Sequence, residues 1–413
     1  MVWGTILMEG KMKLYIAGGA SEHGRNSFLV EGKSVRILVD CGLMREPNGS
    51  SRPFLSDEQI KNIDYLFLTH CHADHAGAVM WLYERGFRGI VVASRFTLDT
   101  MPGPVRDCRV LEELGERGTK ITLDHGLTVT WVRSGHCMGS VWLLFSAEGK
   151  RFLFSGDYVE KSVAYKCDKI RGVSADLAVI DTAYGTNGSR CRENLKAFRQ
   201  YVSDEYQSHH INFYPVPSHG RGLDVIRVLI ETGCEVYADE YLIQELRDTE
   251  DRKSWLRKGM IRASESDHLH PLMQFPIGYS CVLRARQRWQ QGSGNYLKVK
   301  EYSEKSIVPG SAIVVPDTQI AKEWNRDTAL HILDAGGRVV LTGKQIPGGC
   351  ASRLLEAGMA DFMRISVHQT AEELIKLRRK NRFARIVPFH SVEQMSFAEK
   401  NIIVMKPMET IEF

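Results

Sequence analysis

Residues 69–77 read T-H-C-H-A-D-H-A-G. Five of these nine positions, His70, Cys71, His72, Asp74 and His75, carry side chains able to ligate a metal. The apolar run YLFL (65–68) precedes them and reads as a strand, so the candidates open a loop at a strand end. Imidazole nitrogens and carboxylate oxygens suit zinc, which takes them at about 2.0–2.2 Å in a fixed geometry. His70, His72, Asp74 and His75 spell H-x-H-x-D-H, with Cys71 and Ala73 between the ligands and Cys71 expected to point away. One histidine on a loop is usually a satisfied surface group. Four candidates within six residues call for a loop folded around ions.

The remaining ligands must come from further along. LTVTWVRSGH ends in His136, RFLFSGD in Asp157 and ARIVPFH in His390, each after an apolar run. Together they complete a two-metal site: His70, His72 and His136 on one ion, Asp74, His75 and His390 on the other, and Asp157 bridging. Two ions about 3.5–4 Å apart can hold a hydroxide between them and clamp a phosphate or carbonyl. Binding lowers the pKa of that water to about 7, so a nucleophile exists at neutral pH. Asp40, in ILVDCG, is expected to orient a ligand imidazole or the water.

The chain around these residues has 413 positions, more than one ordinary core accommodates, so two domains are the default. Hydrophobic content of 43% and charged content of 25% fit a globular protein. The net charge of +4 is only a mild hint of an acidic partner. No apolar run approaches the roughly 18 residues that span a membrane, and the start does not read as a signal peptide. Nine scattered cysteines without a CxxC imply reduced thiols and a cytoplasmic protein.

Up to about residue 190, short apolar runs alternate with Gly- or charge-marked turns: KLYIAGG, SFLVEG, VRILVDCG, GIVVAS, WLLFSAEG and ADLAVIDTAYG read as strands. DHAGAVMWLYERG reads as one helix. Beyond 190, strands such as SAIVVPD and GRVVLTG alternate with helices such as RENLKAFRQYVSDEY and GGCASRLLEAG, the pattern of a second α/β unit with a parallel sheet. With no linker, that unit is expected as an insertion at 190–361, splitting the first domain into 1–189 and 362–413.

In this order, the ligand candidates resemble the metallo-β-lactamase fold, a four-layer αββα sandwich with metals at one edge of its β layers. Fold alone does not set function. Three later segments narrow the resemblance to the β-CASP branch of nucleases, which includes ribonuclease J and the cleavage-and-polyadenylation endonuclease. VIDTAYGTNGSR is similar to motif A and places Asp181 there, ISVHQTAEELIKL to motif B with His368, and ARIVPFHSVEQM to motif C with His390. FYPVPSHGRGLDVIRVL, GGRVVLTGKQIPGGCASRLLEAG and ASEHGRNSFLVEG also look like this branch. Motif A here is Asp-Thr-Ala where the branch often has Glu with Ser-Thr, and Ser391 follows motif C's histidine where glycine is common.

The resemblance implies an α/β metallo-β-lactamase sandwich with an inserted β-CASP domain and an active site in the cleft between them. The activity implied is a zinc-dependent ribonuclease cutting phosphodiester bonds. His368 would be the general acid for the leaving oxygen, oriented by Asp181. A histidine at motif C favours RNA over DNA in this branch. DNA cleavage is the nearest alternative, and a small-molecule hydrolase acting on a lactone or thioester is the next. Two Zn2+ are expected, with Mn2+ admissible at the second site. The substrate is expected to be single-stranded RNA, and a homodimer is compatible with the family. Weaker candidates for phosphate contact are Ser218 and Arg221, and Arg378 and Arg379 in the basic stretch KLRRKNRFAR (376–385).

Overall fold

The computed structural model describes residues 11–44, 51–246, 250–260, 268–272, 309–392 and 400–413, and their strands form three sheets. Two sheets belong to a unit made of Met1–Glu160, Lys166–Ser189 and Val367–Phe413. The third belongs to a unit made of Lys161–Tyr165 and Arg190–Ser366.

In the first unit, one sheet has the order β19 (Thr410–Glu412), β1 (Lys13–Gly18), β2 (Ser27–Glu31), β3 (Arg36–Val39), β4 (Tyr65–Phe67), β5 (Ile90–Ala93) and β6 (Cys108–Val110). The other runs β18 (Arg382–Phe389), β11 (Ser174–Asp181), β10 (Lys150–Phe154), β9 (Val141–Ala147), β8 (Thr128–Arg133) and β7 (Ile121–Thr122). Successive side chains of a strand point to opposite faces, so a strand buried on both faces reads as a continuous apolar run. Phe28 and Phe67 of the first sheet meet Phe145, Phe154 and Phe389 of the second, with Phe67–Phe145 centroids 4.8 Å and Phe28–Phe389 centroids 5.3 Å apart. Burying each such ring contributes about 1.5–3 kcal/mol. Their neighbours turn outward. Leu29, Leu38 and Leu66 pack on Ile60, Val79 and Leu82 of helices Asp57–Lys61 and Val79–Glu84. Leu153, Ala178 and Ile180 pack on Leu374 and Leu377 of helix Ala371–Arg379. The layers are helix, sheet, sheet, helix, the αββα sandwich expected.

Strand direction gathers the polar residues. β3 and β4 are parallel, as are β10, β11 and β18. β8 is antiparallel to β9, and β9 to β10, so β8 runs with β10. Asp40, His70, His136, Asp157 and His390 each lie just past the C-terminal end of one of these strands, and Asp181 is the last residue of β11.

The stretch DHAGAVMWLYERG departs from the single helix expected. It forms Ala73–Ala76 and Val79–Glu84, broken at Gly77–Ala78, where Ala78 has φ −96° and ψ 7°. Backbone bonds explain the break: Cys41 N donates to His75 O at 2.7 Å, Leu43 N to Ala73 O at 2.8 Å, and Ala78 N to Cys41 O at 2.9 Å. Residues 41–43 stitch the first turn in place as it carries Asp74 and His75, at the expense of helix continuity.

The second unit is a six-stranded sheet, β14 (Leu269–Leu272), β13 (Val236–Asp239), β15 (Ala312–Pro316), β12 (Asn212–Val216), β16 (Arg338–Leu341) and β17 (Ala360–Phe362), with every pairing parallel. Helices Arg221–Thr232, Glu323–Asp334 and Cys350–Glu356 make crossovers between its strands, and helix Cys191–Gln207 leads into β12. Among the described residues no helix is long and apolar enough to cross a membrane. The eight cysteines described are free thiols; Cys281 lies outside the described residues.

Candidate metal centre

The seven residues singled out as ligands converge at one rim of the sandwich. His70, His72, His136 and Asp157 each offer an atom within 4.8 Å of the others, and so do Asp74, His75 and His390. In the first cluster His72 Nδ1 lies 3.1 Å from both His70 Nε2 and His136 Nε2, and Asp157 Oδ2 lies 3.3 Å from His136 Nε2 and 3.6 Å from His70 Nε2. A tetrahedral zinc with bonds near 2.05 Å separates its ligand atoms by about 3.3 Å. Four of the six donor separations thus lie close to the tetrahedral spacing, and the residues fit a divalent ion. In the second cluster Asp157 Oδ1 is 3.2 Å from His75 Nε2 and 3.1 Å from His390 Nδ1, and Asp74 Oδ2 is 3.2 Å from His390 Nε2. Asp157 thus presents one oxygen to each cluster.

Each of three imidazoles is aimed by a partner on its other nitrogen, which fixes the tautomer. His75 Nδ1 donates to Asp40 Oδ2 at 2.7 Å, and Asp40 is held in turn by Thr69 N at 2.7 Å and the Thr69 hydroxyl at 2.8 Å. With its proton given to Asp40, the Thr69 oxygen faces His70 Nδ1 at 3.1 Å as an acceptor. His136 Nδ1 lies 2.8 Å from Val367 O, which can only accept, so Nε2 turns its lone pair to the cluster.

Two of these residues sit in the left-handed region that disfavours side chains: Asp40 at φ 60° and His390 at φ 70°. Such strain persists only where surroundings impose it. The His390 N–H donates to Gly19 O at 2.7 Å and Asp40 N to Phe67 O at 2.8 Å. Gly156, with φ 50°, precedes Asp157; a Cβ there would press within 2.9 Å of Thr69 Cβ.

The electrostatics of the two clusters differ. Burial holds His70 and His136 well below the usual imidazole value. Burial acts the same way on His75 and His390, but Asp157, Asp40 and Asp74 outweigh it around His75, and Asp157 and Asp74 outweigh it around His390. His75 is raised well above its ordinary value and His390 is pushed up to about 10. Burial raises the Asp40 carboxyl, against the opposing charge and hydrogen bond of His75. Burial would also raise Asp157 and Asp74, yet the surrounding histidines hold both carboxyls below the usual range.

Beside the clusters, His368 Nδ1 lies 2.9 Å from Asp181 Oδ2. Tyr158 N and Ala183 N each donate to the Asp181 carboxylate at 2.9 Å, and Gln369 Nε2 donates to its carbonyl at 2.7 Å. The rings of His368 and His390 are 5.1 Å apart.

Not every candidate arrives here. Arg378 and Arg379 end the helix before β18, where Arg382 pairs with Ser174; at the other end of the same pairing, Phe389 stands opposite Asp181. A full strand, about 25 Å, separates the start of β18 from His390, so nearness in sequence puts these arginines at the opposite edge of the sheet from the clusters. Ser218 and Arg221 belong to the second unit; Ser218 is exposed, and the Arg221 guanidinium lies against Gly343, where a Cβ would collide with it. Sequence reading missed Asn26, Thr69, Tyr184 and Gln369. Asn26 Nδ2 stands 2.9 Å from His75 Nε2, and its backbone N–H donates to Asp74 O at 2.9 Å. Its only signal was its place in ASEHGRNS.

An αββα sandwich with buried His/Asp clusters at one rim is an arrangement that suits divalent metal. Residues 20–206 match the metallo-beta-lactamase superfamily model. Those residues carry a metallo-β-lactamase domain, and the relatives to which the chain is similar are β-CASP nucleases. Its relatives include ribonuclease TTHA0252 of Thermus thermophilus, 28% identical over 210 residues (46% of this chain, 48% of that one). Endoribonuclease YSH1 of Saccharomyces cerevisiae is 23% identical over 260 residues, 55% and 33% of the two chains. Cleavage and polyadenylation specificity factor 73 of Drosophila melanogaster is 24% identical over 241 residues, 52% and 35%. The matched segment spans about half the length of the first relative and about a third of the other two. A crystal structure of a protein of unknown function from Enterococcus faecalis has the same fold, with a TM-score of 0.59 at 11% identity, over 98% of this chain and 100% of that one.

Proposed function

We propose that the protein is a zinc-dependent ribonuclease that hydrolyses RNA phosphodiester bonds. One observation carries the reading: seven candidate ligand residues converge beside His368, which is braced by a buried carboxylate, Asp181. The ribonuclease and endoribonuclease names of its relatives support the substrate class.

His70, His72, His136 and Asp157 would hold one ion, and Asp74, His75, His390 and the other Asp157 oxygen the second. Bound there, two divalent ions supply an activated water and offset charge developing on the phosphate. The chain's own groups do the rest. Asp40 and Thr69 hold His75 and His70 with the correct nitrogen forward. Asp181, fixed by two backbone N–H groups, holds His368 by Nδ1, which leaves Nε2 to hand a proton to the departing ribose oxygen. Zinc suits the three-histidine cluster; the oxygen-richer second cluster also admits manganese. Single-stranded RNA is the favoured form, and the cytoplasm the favoured compartment.

The test is cleavage of matched RNA and DNA oligonucleotides, labelled internally or at the 5′ end, by the wild type and an Asp74→Ala, His75→Ala double variant, with and without chelator. RNA cleavage abolished by both the double substitution and the chelator is expected. Cleavage of DNA alone, or of a generic ester with RNA untouched, overturns the reading.

A further inference from the structure

The chain re-enters the first unit at Val367. That peptide bond meets the metal centre from both sides. Its carbonyl accepts from His136 Nδ1 at 2.8 Å, and the next residue is His368. One peptide therefore sets the direction of a ligand and the position of the expected general acid. The peptide before it, Ser366–Val367, is held by the Tyr184 hydroxyl, which accepts from Val367 N–H at 2.9 Å, so the two contacts are linked through φ and ψ of Val367. The Tyr184 ring also packs edge-on to His368, with centroids 5.4 Å apart and planes at 82°.

We propose that Tyr184 is a positioning residue that couples the first ligand cluster to the His368–Asp181 pair through the backbone of Val367. Without the hydroxyl, the buried Val367 loses the acceptor of its N–H, and the backbone is free to turn about φ and ψ of Val367. Rotation moves Val367 O away from His136 Nδ1, so the imidazole is no longer held with Nε2 forward, and it displaces His368 with the same motion. A purely packing role would act through the ring and would leave the removal of one oxygen almost silent. Outer partners that orient ligand histidines change metal affinity or activity by about 10–100-fold when removed.

The proposal rests on the metal-centre reading above, and its test separates the two. Tyr184→Phe is compared with wild type in three measurements: zinc affinity by competition with a chromogenic chelator, kcat and KM on RNA, and the melting temperature of the metal-free protein. The expected result is zinc affinity weakened about 10–100-fold at one of two sites, kcat lowered by a similar factor, KM changed less than about threefold, and an unchanged melting temperature. Zinc affinity and kcat both within about twofold of wild type overturn the proposal. So does a lowered melting temperature with zinc affinity intact, which would make the hydroxyl structural. If wild type binds zinc but cleaves no RNA, the ribonuclease reading fails, while the zinc arm still decides the role of Tyr184.

Discussion

The two ligand clusters share Asp157 and a rim of the same sandwich, yet they are unlike. The first gathers three imidazoles, two of which, His70 and His136, burial holds well below the usual imidazole value, and four of its donor separations are 3.1–3.6 Å. The second is richer in carboxylate, and its two imidazoles, His75 and His390, are raised so that each retains a proton in the absence of an ion. One cluster is made ready for a metal by burial; in the other, charge has to be exchanged before a metal can enter. The difference shows that ligand identity alone does not rank two sites. The same imidazole is lowered or raised by whether carboxylates surround it.

The comparison can be broken most severely at its shared member. Asp157→Ala removes one oxygen from each cluster and is expected to lower kcat/KM on RNA about 10⁴-fold or more, with bound metal, measured by atomic emission, reduced at both sites. Retention of one full equivalent would mean that Asp157 does not bridge. His390→Ala tests the second cluster alone. Bound metal should fall by one ion per chain and activity by about 10²–10³-fold; loss of both ions would erase the distinction drawn here. Asp40→Asn touches no donor atom; it acts on the aim of His75 directly and on that of His70 through the Thr69 hydroxyl. The second ion should bind about 10–100-fold more weakly, and the first should be weakened less, in the same chelator competition.

The smallest effect sharpens the comparison through pH. His75 and His390 are raised in the metal-free protein, so at neutrality ligation must expel their protons. Affinity for the second ion should therefore climb as pH rises towards about 10, where His390 titrates. His70 and His136 are lowered, so affinity for the first ion should level off above the ordinary imidazole range, about pH 6.5. Calorimetric titration in buffers of different ionisation enthalpy would count the protons: few for the first ion, one to two for the second. Equal release at both steps would contradict the assigned electrostatics.

Much of this was legible because ligand chemistry clusters in sequence. H-x-H-x-D-H places four donors in six residues, and His136, Asp157 and His390 each end an apolar run, so strand direction alone brings them to one rim. The alternation before residue 190 gave the strands, since their apolar runs are buried on both faces. The supporting contacts could not be read. Val367 acts on His136 through a carbonyl, a group every residue possesses, across 231 positions. Thr69 acts through one hydroxyl shared between Asp40 and His70. The break at Gly77 comes from backbone bonds to residues 41–43, which no helical periodicity encodes. The arginines at 378 and 379 misled because a strand can carry the chain its full length away from a sequence neighbour.

The insertion of the second unit has a consequence in time. A ribosome releases the four donors of the first cluster by residue 157, but the second cluster lacks His390 until the whole inserted unit has been made. At about 5–20 residues per second, that interval is about 10–50 s. A nascent chain paused within the insert carries every candidate ligand of the first cluster and an incomplete set for the second, so the first cluster is complete along the chain before the second.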